Sequence, residues 1–301
     1  MADLKLFVGY FGRNNLGDDL MLKSLYTDNK DFVFLQDSNY YDYIPLGHQI
    51  ILSLNPILRL LQKLFFLIKL KIEGVKIIVF GGGTQFSTNS SKFTQIEILF
   101  FLIISKLLRY KIQANSIGIG AFSEGKWLVK NSINLLDEIS VRDHTSSEKL
   151  ANEKIKHTLV NDLVYKINFK KEKKRNSNNI LITATGPVLL SNKKYLNNYL
   201  NFVRKNVKTK DSNLIFAVFQ KNEDEFIHEL LIKSFPRIKI ITPKSIEELE
   251  DLYNNSKEVL GMRYHSLVIA DIFDIPFSGF SYDDKVKDLC FKRKRSFTPA
   301  N

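Results

Sequence analysis

Arg263 and His265 stand two residues apart in GMRYHSLVIA, directly before an apolar run whose spacing predicts a helix over Ser266–Phe273. An arginine can fork onto the oxygens of a carboxylate or phosphate, a helix start offers unpaired N–H donors, and an imidazole can move a proton. With the strand read as ending at Arg263, His265 falls on the same side of an extended chain, so both converge on a small dense anion. Tyr264 and Ser266 flank the imidazole at that junction.

Three further segments carry residues of this kind. In VRDHTSSEKL, Arg142 follows a predicted strand, and Asp143 beside it can orient the guanidinium; an ordinary surface ion pair is the plainer alternative. In GYFGRNNLGDDLML, glycines 9, 12 and 17 let backbone approach a ligand, and a helix is expected from near Asp18. Of Asp18 and Asp19, one is expected to cap that helix, leaving the other as a candidate general base, with Asn15 and Gly17 in the loop before them. The spacing is not GxGxxG, so no dinucleotide fingerprint is present. In FGGGTQF, consecutive glycines after a strand, Gly82 and Gly83 among them, suit a backbone wall against a substrate, with Thr84 and Gln85 offering side-chain hydrogen bonds. His48, His157 and His228 lack such company and read as surface or packing residues.

These residues need elements to position them. LKLFVGYFG, VKIIVFGGG and QANSIGIGAF each read as a buried strand running into glycine, and DEISVRD and HTLVNDLVY supply shorter strands. After residue 178 the rhythm restarts: NILITATG, a helix through Lys193–Lys205, NLIFAVFQ, a helix through Asp224–Phe235, RIKIITP, SIEELEDLYNNS, EVLGMRYH, SLVIADIF and PFSGFSY. Strands alternating with helices predict an α/β protein with parallel sheets, here two Rossmann-like domains facing each other across a cleft, with ligands at the carboxyl ends of the strands. The expected division is 1–166, a basic linker over 167–178, and 179–301.

Length and composition agree: 301 residues with 44% hydrophobic and 25% charged suit two folded domains and exclude a disordered chain. The single cysteine, Cys290, excludes an internal disulfide and a thiolate metal cage, and no metal site is expected. MADLKLFVGYFG shows no export leader, which predicts a cytoplasmic protein. Of the net charge of +12, the segment Lys166–Asn179 carries +5 and FKRKR at Phe291–Arg295 carries +4. That clustering reads as a solvated linker and a tail, and gives no support for nucleic acid as a partner. Two helical stretches, Asn55–Gly74 and Gln95–Tyr110, are apolar and basic at once but too interrupted to span a membrane. They read as crossover helices packed on the sheet; the stripe Leu58, Leu61, Leu64, Phe65 and Ile68 also suits peripheral contact with a membrane surface.

The ordered set GYFGRNNLGDD, FGGGTQF, NSIGIG, VRDHTS, NDLVY and GMRYHSLVIA…PFSGFSYDDK resembles the polysaccharide pyruvyltransferase family over nearly the whole chain. The resemblance implies a fold like the GT-B glycosyltransferase architecture and transfer of a pyruvyl group from phosphoenolpyruvate to sugar hydroxyls, with no cofactor. It further implies that Arg142 and Arg263 bind phosphoenolpyruvate, with Tyr264, His265 and Ser266 beside it. Its expected acceptor is a sugar of a cell-surface polysaccharide, including one carried on a lipid at the inner face of the membrane. Under this reading His265 is the acid and Asp18 or Asp19 the base for the sugar hydroxyl, while Asn15, Gly17, Gly82, Gly83, Thr84 and Gln85 line the acceptor side. One departure stands out: only sixteen residues follow Lys285, where family members typically carry further helical sequence. Two other readings fit the residues: a GT-B glycosyltransferase using a nucleotide sugar, and a non-catalytic protein binding an anionic glycan or lipid head group.

Overall fold

The computed structural model describes residues 3–26, 30–35, 48–123, 126–172, 178–207 and 212–300. The chain divides into two compact units, the first running to Leu163 and the second from Val164, with Asn14–Gly17 grouped with the second.

Among the described residues the first unit holds one parallel sheet built from β1 (Lys5–Val8), β2 (Phe32–Leu35), β3 (His48–Ile51), β4 (Ile77–Gly81), β5 (Lys111–Ile117), β6 (Glu138–Val141) and β7 (Thr158–Leu159), in the order β3-β2-β1-β4-β5-β6-β7. Its helices are α1 (Leu16–Leu25), α2 (Pro56–Ile72), α3 (Lys92–Leu107), α4 (Trp127–Asn134) and α5 (His144–Asn152). Local sequence explains several starts. Asn55 caps α2 through Oδ1, with Pro56 at its first position, and Ser91 caps α3 through Oγ. Leu6, Ile78, Phe80, Ile112 and Ala114 fill the core from the sheet, as the near-continuous apolar runs of a parallel sheet require.

The second unit repeats the design with β8 (Asn179–Thr183), β9 (Asn213–Ala217), β10 (Lys239–Ile241), β11 (Ser256–Gly261), β12 (Phe277–Ser281) and β13 (Phe297–Pro299), ordered β10-β9-β8-β11-β12-β13 and all parallel. Its helices are α6 (Gly186–Ser191), α7 (Lys193–Asn206), α8 (Lys221–Asp224), α9 (His228–Ser234), α10 (Ile246–Asn254), α11 (Tyr264–Ile272) and α12 (Asp284–Lys292). In both sheets the strand order reverses direction beside the first strand, β1 or β8, and ligands of doubly wound sheets bind at such a point.

In both basic stretches most of the described charged side chains are exposed, as the solvated reading expects, while parts of the chain are anchored. Lys170 donates its backbone N–H to Glu250 Oε1 (2.8 Å) and Glu172 to Asn254 Oδ1 (2.7 Å), so this part of the expected linker is laid along α10. Residues 173–177 lie outside the described residues. In the tail, Arg293 pairs with Asp271 at 2.8 Å and Arg295 lies over the Phe277 ring.

The two basic, apolar helices pack on the sheet as crossover helices. Their inner sides bury Leu67, Leu70, Phe101 and Leu102 in the core. Their outer sides stay apolar and exposed: Leu58, Leu61, Phe65 and Ile68 on α2, with Leu64 half-buried, and Phe93, Ile96, Phe100, Ile103 and Leu107 on α3. Among the described residues no helix is long and apolar enough to cross a membrane.

Candidate active site

In the second unit, β11 ends at Gly261, the Met262 backbone N–H bonds the Thr183 carbonyl at 3.0 Å, and the chain turns at Arg263 to start α11. Arg263 and His265 therefore do not share one side of an extended chain, as the sequence suggested. Arg263 is the N-cap and His265 the second residue of the helix. Ser266 is buried beneath this turn: its Oγ donates to the Arg263 carbonyl (2.6 Å) and shares a hydrogen bond with Thr183 Oγ1 (2.8 Å), while the buried Tyr253 hydroxyl donates to its carbonyl (2.9 Å). Ser266 thus fixes the junction. The Tyr264 and His265 rings meet edge to face at 5.3 Å.

Arg263 is held by residues that sequence spacing did not single out. Its Nη2 bonds Asp224 Oδ1 and Glu223 Oε2 (2.9 Å), its Nη1 bonds Gln220 Oε1 (3.0 Å), and its Nε bonds the Ala184 carbonyl (3.2 Å). Among the described residues, these bonds engage four of the five guanidinium hydrogens and leave one on Nη1. Burial works against the Arg263 charge, and the Asp224 carboxylate outweighs it, holding the guanidinium above its ordinary pKa. Asp224 is itself fixed by the backbone N–H groups of Phe219 (2.8 Å) and Gln220 (2.9 Å) on its other oxygen. Glu223, with 35% of its side chain exposed, is the partner most open to solvent.

Gly17 stands beside His265: a Cβ built there would lie 1.9 Å from Nδ1. Only a glycine leaves the imidazole its place. The Asn15 side chain accepts from the Gly17 N–H at 3.2 Å, and the Leu16 N–H bonds the Phe219 carbonyl at 2.8 Å. Thr185, two residues past the end of β8, has a buried Oγ1 with no hydrogen-bond partner among the described residues.

The first unit gathers its own cluster at the carboxyl ends of β4, β5 and β6. Gly82 and Gly83 have φ of +78° and +67°, a left-handed backbone that favours glycine. A Cβ on Gly83 would lie 3.3 Å from Asp18 Oδ1, and one on Gly118 would lie 2.9 Å from Thr84 Oγ1 and 3.4 Å from Arg142 Nη2. Gln85 does not point at a ligand: its amide is buried and donates to the carbonyls of Gly81 (3.0 Å) and Gly82 (2.9 Å), tying the loop to itself.

Arg142 is buried and bonds Asp162 Oδ2 at 3.0 Å, again an acid distant in sequence. Asp143, its neighbour, instead caps α5 by accepting from the Ser146 N–H at 2.7 Å. Neither Asp18 nor Asp19 is the N-cap of α1, which starts earlier than expected, at Leu16. Asp19 is fully buried; its Oδ1 accepts from the Gly12 N–H (3.0 Å) and its Oδ2 has no hydrogen-bond partner among the described residues. Burial, with the Asp18 charge adding to it, pushes the Asp19 carboxyl up to about 7. A carboxyl poised at that value can take or give a proton near neutrality. Among the described residues, no three His, Cys, Asp or Glu side chains gather so as to hold a metal ion.

Comparison with known proteins places this arrangement. No curated protein matches the chain in sequence. Among solved structures, it resembles the Methanocaldococcus jannaschii UDP-GlcNAc 2-epimerase in complex with UDP-GlcNAc and UDP (16% identity, 100% of this chain and 90% of that one, TM-score 0.66). It also resembles the Neisseria meningitidis UDP-GlcNAc 2-epimerase bound to UDP-GlcNAc (11% identity, 100% and 88%, TM-score 0.63) and the Anabaena protein HepE in complex with UDP and glucose (11%, 100% and 87%, TM-score 0.63). At these identities the likeness shows the fold: α/β with two Rossmann-like units, of the GT-B type. The model of the polysaccharide pyruvyl transferase family matches residues 15–284, and the chain belongs to that family of transferases.

Proposed function

We propose that the protein transfers the pyruvyl group of phosphoenolpyruvate to two hydroxyls of a sugar in a cell-surface polysaccharide or its lipid-linked precursor, forming a ketal at the inner face of the membrane. The observation that carries this reading is the β11–α11 junction inside the family-matched span, where His265 lies in the first turn of the helix beside a glycine that leaves it room.

The chemistry asks little else of the chain. A sugar hydroxyl adds to C2 of phosphoenolpyruvate while its C3 methylene gains a proton and becomes a methyl group; His265 delivers that proton. The C2–O bond to phosphate then breaks, a second hydroxyl closes onto C2, and its proton leaves with inorganic phosphate. Asp19, or Asp18 beside it, serves as base for the attacking hydroxyl. Arg142 and the remaining Nη1 hydrogen of Arg263 bind the carboxylate and phosphate of the donor, with Tyr264 and Ser266 shaping the junction. Asn15, Gly17, Gly82, Gly83, Thr84 and Gln85 form the acceptor side, through backbone approach and the loop that Gln85 fixes. The reaction draws on phosphoenolpyruvate as substrate and on no cofactor.

A thermal-shift comparison tests the donor. Phosphoenolpyruvate is expected to raise the melting temperature while UDP-GlcNAc leaves it unchanged; the reverse pattern would make the protein a user of nucleotide sugars.

A further inference from the structure

The outer faces of α2 and α3 follow one spacing rule. On α2 the exposed apolar side chains Leu58, Leu61, Phe65, Ile68 and Ile72 recur in alternating steps of three and four residues. On α3 the exposed Phe93, Ile96, Phe100, Ile103 and Leu107 recur in the same steps. That alternation averages about 3.5 residues, the heptad period whose a and d side chains seat as knobs in the holes of a facing helix. Arg59 and Lys63 of α2 both bond Glu97 of α3, Arg59 through Nε (2.9 Å) and Nη2 (2.7 Å) and Lys63 through Nζ (2.7 Å). The clamp sets the two helices side by side with their amino-terminal halves level, so the two seams form one face.

Size and charge indicate what covers that face. Its ten seam side chains, from 39% to 83% exposed, present on the order of 1,000 Å² of apolar surface, more than the roughly 300–600 Å² of the largest patch on a typical monomer and enough for the roughly 800 Å² that each partner gives to a stable interface. The cations beside the seams are turned toward their own chain. Glu97 holds Arg59 and Lys63, Asp137 holds Lys106 (2.5 Å), Glu73 lies 3.8 Å from Lys69, and Lys71 donates to the Arg109 carbonyl (3.1 Å). A helix that lies on a bilayer uses its lysines and arginines for anionic head groups, whereas these five are engaged within the protomer. A heptad seam is complementary to another heptad seam, and a twofold axis brings the same two rows in from a second copy. We propose that the α2–α3 face is a homodimer interface, in which the two helices of one protomer pack on those of its partner as a four-helix layer. The interface is independent of pyruvyl transfer: a chain that moved no pyruvyl group would still dimerise, and the test reads mass alone.

Sedimentation equilibrium of the full-length chain gives the mass directly. Wild type is expected at twice the mass of one chain, with a dissociation constant of about 1 μM or tighter. Phe65→Glu and Phe100→Glu place like charges in the seams of both protomers at outward positions, and each is expected to raise that constant at least about 100-fold while circular dichroism and the melting temperature of the protomer stay unchanged. Leu190→Glu, at an exposed apolar position on α6 of the second unit, is expected to leave the dimer intact. A wild type that stays monomeric at about 100 μM would overturn the proposal. A dimer that survives both Phe65→Glu and Phe100→Glu, or that Leu190→Glu dissociates equally, would place the contact on another surface and overturn it too. Flotation with phosphatidylglycerol and phosphatidylethanolamine vesicles covers the remaining occupant: a monomeric wild type that floats, beside a Phe65→Glu variant that does not, would make the face a membrane surface and overturn the dimer.

Discussion

Arg142 and Arg263 occupy the same kind of place, one in each unit: both follow a parallel strand and precede a helix. They are held differently. Arg142 is bound by Asp162, twenty residues further on, while the acid next to it in the chain is spent capping α5. Arg263 is gripped by Asp224 and Glu223 from about forty residues upstream, and it has one hydrogen to spare. The partner of an arginine is set by which loops the sheet brings alongside, and neighbours in sequence do not reveal it. The contrast also separates duties. The second unit's arginine is largely a device that fixes the turn before His265, whereas the first unit's cluster contains a carboxyl, Asp19, that titrates near neutrality.

Removing the grip in the second unit has the largest expected effect. Asp224→Ala leaves Arg263 buried without its main counter-charge and frees two backbone N–H groups, so urea denaturation should show a loss of about 3–5 kcal/mol. A loss below about 1 kcal/mol would mean that Arg263 is not fixed in this way. Next comes Gly17→Ala, which drives a Cβ into the His265 ring; kcat should fall about 100-fold while the fold is kept. Substitution by alanine without loss of turnover would show that the placement of His265 is unimportant.

In the first unit, Asp19→Asn keeps an acceptor for the Gly12 N–H and removes the titration. The native Asp19 holds its proton up to about pH 7 while the unfolded chain loses it near pH 4, so its contribution to stability is present in acid and lost as pH rises through 7. Between pH 5 and pH 8 wild type should therefore lose about 2–3 kcal/mol that Asp19→Asn does not, as read by denaturation at the two values. The smallest effect belongs to Glu223→Ala. Releasing Arg263 from its more exposed carboxylate should lower the KM for phosphoenolpyruvate by about threefold to tenfold. A raised KM would make Glu223 a helper of donor binding instead of a competitor.

Much of this architecture was legible in the sequence. Strands running into glycine marked β1, β4 and β5, and the helix through Lys193–Lys205 appears as α7. β3 and β13 are short edge strands whose sequences, HQII and FTP, lack the long apolar run of a buried parallel strand, and β2, although internal, has only the four apolar residues FVFL. The same limit applied to the site. Arginine, histidine and glycine announced themselves by type and spacing, whereas Asp162, Asp224 and Gln220 act through contacts made only after folding. Arg13 belongs with them: an arginine in a glycine-rich loop says nothing until α2 and α3 build a cavity around it.

The central claim is that His265, in the first turn of α11, supplies the proton for pyruvyl transfer. Mass spectrometry of an arylated or lipid-linked sugar incubated with phosphoenolpyruvate, with phosphate release followed in parallel, compares wild type with folded His265→Ala. The account predicts a pyruvyl mass increase and matching phosphate in wild type, and a rate at least about 100-fold lower in the variant. Phosphate released at the wild-type rate by His265→Ala would contradict it.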